Sequence, residues 1–159
     1  MRELCFVTHN SIAREIVEAA YRIHVALGPG LLESVYQHIL AAELAERGLQ
    51  VELQRPIPIL YRGLEFEIGF RADMIVEDLV IVEIKSVEAI HPVHKKQLLT
   101  YLRLTDRRLG LLINFNVNLI KDGISRVVNG LNEDKHISRQ DAKPQRAHKE
   151  KTWRLWAFA

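Results

Sequence analysis

Hydrophobic and polar positions follow a helical period at the start of the chain, a strand period through its middle, and neither beyond about residue 130. Ile12, Ile16, Ala19, Ala20, Ile23 and Leu27 are spaced for one buried helix face, with Asn10 or Ser11 as N-cap and Gly28-Pro29-Gly30 as the stop. A second helix is predicted from about residue 32 to residue 46 or 47, with Val35, Ile39, Leu40, Ala42 and Leu44 as its apolar set and Gly48 ending it. Residues 51–54 and 57–61 read as short strands broken by Arg55-Pro56, and Arg62-Gly63 turns into an alternating run at 65–70. Two further β-rich runs, 72–76 and 79–84, meet at Glu77-Asp78; the second is apolar apart from Glu83, the pattern of a strand covered on both faces. His91-Pro92 opens a helix that carries Val93, Gln97, Leu98, Tyr101 and Leu102 and ends near Thr105. Residues 109–115 form another buried-strand pattern, and 118–128 a final strand or two. This order predicts an α/β fold with a mixed sheet flanked by helices.

The pattern lapses at Gly130. Residues 132–151 are polar, carry both signs of charge and have little apolar periodicity, so a flexible C-terminal tail (132–159) is expected to follow a domain at 1–131. The tail ends on Trp153-Arg154-Leu155-Trp156-Ala157-Phe158, apolar enough to cover the domain's own sheet or a neighbouring copy in a homo-oligomer. No internal repeat is visible.

A chain of 159 residues suffices for one α/β domain with a core and is short for two. Its 48% hydrophobic and 26% charged content is that of a soluble globular protein. A formal charge of +2 gives no global basic field, so any nucleic-acid surface must be local. Cys5 is the sole cysteine, which excludes an internal disulfide and a cysteine-based metal site. No apolar run is long enough to span a membrane, and residues 1–10 lack a secretory pattern; a cytoplasmic protein is expected.

The chemistry concentrates where strand alternation sends Glu83 and Lys85 to one face and Ile84 to the other. A hairpin turning at Glu77-Asp78 brings Asp73 opposite them. Two carboxylates packed together repel unless a cation is present, and a buried ion pair alone is seldom a net gain. A divalent metal resolves the conflict: Mg²⁺ accepts one or two protein carboxylates and keeps several waters, one of which Lys85 can orient or deprotonate.

Asp73 followed by Glu83-Ile84-Lys85 resembles the Asp…(Asp/Glu)-x-Lys signature of the PD-(D/E)XK nuclease superfamily. Ala72 stands where a proline often precedes the first Asp; that proline shapes backbone and carries no ligand. Upstream, Gly30, Glu33 and Tyr36 are similar at every defined position to the motif of the GxxExxY family, which is grouped with these nucleases, and the resemblance covers most of residues 10–130. Taken alone, Glu33 complements a helix dipole, Gly30 makes a turn and Tyr36 is core. The resemblance implies instead that Glu33 is the counterpart of the helix Glu that joins the active site in the exonuclease-like branch. Gln97 and Tyr101, four apart on one helix face, resemble the motif of RecB-like nucleases, where the pair lines the site and helps place the strand to be cut. Their bland reading is a solvated face and a half-buried tyrosine.

Other chemistries find little support. His91 and His94 are three apart, but neither they nor His24 and His38 find a third ligand at zinc spacing. Ser34 and Ser86 lack a nucleophile arrangement with a His base, and no Gly-rich phosphate loop occurs. The resemblance implies a restriction-endonuclease-like core and Mg²⁺- or Mn²⁺-dependent hydrolysis of nucleic acid, DNA before RNA. Asp73, Glu83, the Ile84 carbonyl and Glu33 are the expected metal set, Lys85 the group acting on water. Lys95, Lys96, Arg71, Gln97, Tyr101 and Tyr36 are expected on the substrate side. Two rivals stand beside this: a non-catalytic module that binds nucleic acid or protein, and a structural Glu83–Lys85 ion pair with no ligand.

Overall fold

The computed structural model describes residues 8–131; Cys5 and the tail expected at 132–159 lie outside them. Helix α1 (His9–Leu27) begins earlier than the sequence suggests. Thr8 is its N-cap: the Thr8 hydroxyl accepts from the Ser11 N–H at 3.0 Å and the Ser11 hydroxyl accepts from the Thr8 N–H at 2.9 Å. Serine thus stands in the capping box where Glu or Gln is usual, which hides the signal. The expected apolar face is buried except for Leu27, in the last turn. Helix α2 (Glu33–Glu46) buries Tyr36, Gln37, Leu40 and Leu44, so its inward face is rotated from the one predicted and Val35 points outward.

A five-stranded sheet follows: β1 (Val51–Tyr61), β2 (Leu64–Val76), β3 (Val80–Lys85), β4 (Leu109–Asn114) and β5 (Ile124–Val128), side by side in sequence order. β3 and β4 are parallel and the other neighbours antiparallel. Helix α3 (Pro92–Leu104) connects the parallel pair, and a four-residue helix α4 (Ile120–Gly123) takes the first part of the strand predicted at 118–128. The runs at 51–54 and 57–61 are one strand. Arg55-Pro56 does not break it, because β1 is an edge strand and a proline there removes no bond from the sheet interior. The runs at 65–70 and 72–76 likewise merge into β2.

Two cores sandwich this sheet. One lies under α1 and α2 and includes Ile16, Leu40, Met74, Val82, Ile84 and Phe115. The other, under α3, joins Ile75, Ile81 and Leu112 to Leu98, Tyr101 and Leu102. The β2–β3 connection, Glu77-Asp78-Leu79, is closed by the Leu79 N–H donating to the Val76 carbonyl at 3.0 Å, with Glu77 and Asp78 at φ 53° and 55°. Arg55 and Arg107 both pair with Asp78 and hold this turn. The turn length sets the register Val76↔Val80, Ile75↔Ile81, Met74↔Val82. One step further, Asp73 comes across from Glu83; a slip of one residue would have sent the acids to opposite faces.

Candidate functional site

The β2–β3 ladder stops at Met74↔Val82, while β2 stays paired with β1. A gap therefore opens beyond Met74, and Asp73 fills it. Its Oδ2 accepts from the Ile84 N–H at 3.0 Å, so a side chain takes the place of the missing ladder partner. Oδ1 accepts from Gln54 Nε2 at 3.2 Å, and the Asp73 main-chain carbonyl accepts from Gln37 Nε2 at 2.6 Å. Among the described residues, these two donors to the carboxylate, an amide and a backbone N–H, are both neutral.

Glu83 is buried on the same face, with Lys85 Nζ 3.7 Å from its Oε2. Its Oε1 is fully enclosed and has no hydrogen-bond partner among the described residues. Burial, reinforced by the charge of Asp73 and only partly offset by Lys85, pushes the Glu83 carboxyl up to about 8. Lys85 Nζ also donates to the Ile84 carbonyl at 3.2 Å. Asp73, Glu83 and Lys85 are thus brought together at the gap, the meeting of two carboxylates and an ammonium that strand alternation predicts, with the Ile84 carbonyl beside Lys85.

Glu33 is held elsewhere. It sits in the first turn of α2 and its Oε1 accepts from the Ser86 N–H at 3.0 Å, while the Ser86 hydroxyl donates to the Leu31 carbonyl at 2.7 Å. These bonds stitch the segment just after Lys85 to the turn before α2. Gly30, at φ 103°, supplies backbone geometry that a side chain would strain. Tyr36 corrects an expectation. It is 0% exposed, stacks on Phe115, donates to the Gly28 carbonyl at 2.6 Å and accepts from the Leu31 N–H, so it is a core anchor with no surface to offer a substrate. A shallow, open hollow of the surface lies alongside, lined by Glu33, Ser34, Ser86 and Asn116 among others.

On α3, Tyr101 is buried and stacks on Phe70. Burial, then the charges of Glu83 and Asp73, raise its hydroxyl above the usual tyrosine range, which marks it as a neighbour of the acid pair. Gln97, Lys95 and Lys96 are exposed on the same helix, and Arg71 is exposed on β2 two residues before Asp73. His91 and His94 serve the start of the helix, the His91 N–H donating to His94 Nδ1 at 3.3 Å.

Compared with protein families, residues 10–127 match the PD-(D/E)XK nuclease superfamily. The chain belongs to it. No match was found among curated proteins or among solved structures.

Superfamily members are in general hydrolytic nucleases that use divalent metals. This PD-(D/E)XK domain passes a direct test of fit for such an ion. An enclosed carboxylate oxygen without a partner among the described residues is costly, and with Asp73 and the Ile84 carbonyl it would make up an all-oxygen donor set. Among the described residues, no three His, Cys, Asp or Glu side chains converge on one point. Two carboxylates and a carbonyl suit a hard, partly hydrated cation better than zinc. No helix among the described residues is long and apolar enough to cross a membrane.

Gln54, Gln37 and Asn114 complete the surroundings and were not foreseen. Asn114 had a visible signal, a polar residue ending an apolar strand; it accepts from the Val87 N–H at 3.1 Å and donates to the Val87 carbonyl at 2.8 Å, shaping the exit from β3. Gln54 and Gln37 carried none.

Proposed function

We propose that this domain is a divalent-metal-dependent nuclease that hydrolyses phosphodiester bonds in DNA, of the GxxExxY type on the strength of Gly30, Glu33 and Tyr36. The observation that carries the reading is the enclosed Glu83 Oε1, without a hydrogen-bond partner among the described residues, on a carboxyl that lies beside Asp73 and whose other oxygen, Oε2, is 3.7 Å from Lys85 Nζ. Asp73, Glu83 and the Ile84 carbonyl would hold Mg²⁺ or Mn²⁺. When bound, the ion supplies charge neutralisation at the phosphate oxygens and acidifies water. Lys85 orients the attacking water and places positive charge where the transition state gains negative charge. Glu33 assists by fixing the Ser86 backbone directly after that lysine, and by offering an exposed carboxylate at the edge of the site. Tyr101 and Gln97 place the scissile strand, and Lys95, Lys96 and Arg71 hold its flanking phosphates.

The test uses linear and supercoiled DNA, with RNA in parallel. DNA cleavage should require Mg²⁺, stop with chelator and return with Mn²⁺. The Lys95→Ala/Lys96→Ala double variant should raise KM more than it lowers kcat, and flatten the plot of log affinity against log salt by about 1–2 units. Binding without cleavage under every metal condition would instead select the non-catalytic module.

A further inference from the structure

We infer that Gln54 is a positioning residue that orients the Asp73 carboxylate for a divalent cation while leaving its charge unneutralised. The inference rests on the metal-dependent reading above and names a residue outside the superfamily signature. Gln54 lies inside β1 yet has φ 51°, in the left-handed region that side chains rarely adopt. Pairing holds one register on both sides of it, Leu53↔Met74 and Arg55↔Ala72. The distortion is therefore confined to Gln54 and inserts no residue into the strand. The residue directly across, one step from both pairs, is Asp73.

Gln54 Nε2 donates to Asp73 Oδ1 at 3.2 Å, and Oδ2 is held by the Ile84 N–H at 3.0 Å. Two donors fix the carboxylate plane, and each oxygen keeps a lone pair. The chemical type of the donor matters. A lysine or arginine at position 54 would cancel the charge an ion needs, and a glutamate would repel Asp73; an amide orients without doing either. Stability gives a poor account of the same feature, because Gln54 is exposed and a hydrogen bond open to water returns little against a strained backbone.

Gln54→Gly relieves the strained φ and removes the amide, so it separates the two explanations. The experiment titrates Mn²⁺ alone, by calorimetry, into the wild-type domain, Gln54→Gly, Gln54→Asn and Asp73→Asn, with metal-free melting temperatures recorded alongside. The expected result is Mn²⁺ affinity weakened about 10-fold or more in Gln54→Gly, a metal-free melting temperature equal to or above wild type, and part of the affinity regained in Gln54→Asn, which keeps an amide. In cleavage assays the half-saturating metal concentration should rise by the same factor, while kcat at saturating metal stays within about threefold of wild type. If Gln54→Gly binds Mn²⁺ as tightly as wild type while Asp73→Asn does not bind, the inference on Gln54 is overturned and the metal site stands. If wild type binds no Mn²⁺, both fall together.

Discussion

Lys85→Ala is expected to lower single-turnover DNA cleavage by about 10²–10⁴-fold at saturating metal, with the fold intact. Three observations set that size. The ammonium is held in a half-enclosed position, 20% exposed, where a charge acts more strongly than in open water. Two contacts aim it, Glu83 Oε2 at 3.7 Å and the Ile84 carbonyl at 3.2 Å, so it is placed in advance of substrate. Its strand is anchored on both sides, in parallel register with β4 through Lys85↔Asn114 and by the Glu33–Ser86 bond. Lys85→Arg should not rescue the rate, since a guanidinium is planar, bulkier and does not give up its proton. The domain should survive either change, because Glu83 deprived of a counter-charge stays protonated rather than buried and ionised. Circular dichroism and DNA binding close to wild type, together with collapsed cleavage, would bear this out. Cleavage within threefold of wild type would remove Lys85 from the chemistry.

The second large effect is on stability, and it runs opposite to function. Glu83→Gln should abolish cleavage and yet raise the metal-free melting temperature at alkaline pH. The carboxyl titrates near 8 in the folded domain and near its ordinary 4.5 in the unfolded chain. Between those values the unfolded chain releases a proton that the folded domain retains. The Glu83 contribution to wild-type stability is therefore fully present below about pH 4.5 and is lost as pH rises through about 8. Glutamine has no such proton. The gap between variant and wild type should be small near pH 5, widen across the window and level off above pH 8–9, at about 3–6 °C if 1–2 kcal/mol is recovered. Thermal melts at closely spaced pH values, in chelator, give the curve directly. A constant gap at all pH values would mean that Glu83 ionises normally.

The sequence made the elements easy to read and the joints hard. The period of α1, the apolar run of β3 and the buried strand at β4 stood out because each is governed by one packing face. Pro56 misled, since proline breaks a strand only where its missing N–H was needed, and edge position is a tertiary fact. The face of α2 was only half legible: Tyr36 reads as core, but that it takes the inward position instead of Val35 depends on its ring finding Phe115, distant in the chain, while its hydroxyl finds the nearby Gly28 carbonyl.

The acid pair was legible because strand alternation and a single turn fix Asp73, Glu83 and Lys85 relative to one another. Its supports were not. Gln37 and Gln54 reach Asp73 from a helix and a neighbouring strand, 36 and 19 residues away in the chain, and nothing local marks either. The motif led to Glu33 being expected among the metal ligands, whereas its carboxylate accepts from the Ser86 N–H, a bond that depends on how α2 docks on the sheet.

The central claim is that the acids at the gap between β2 and β3 are there for a cation. Melting curves at pH 8 for wild type, Asp73→Asn and Glu83→Gln, each with and without millimolar Mg²⁺ or Mn²⁺, test it most directly, because an ion that binds only the folded domain must raise its melting temperature. The account predicts a rise of several degrees in wild type and none in the two variants. An equal response in all three proteins, or no response in wild type, would contradict it.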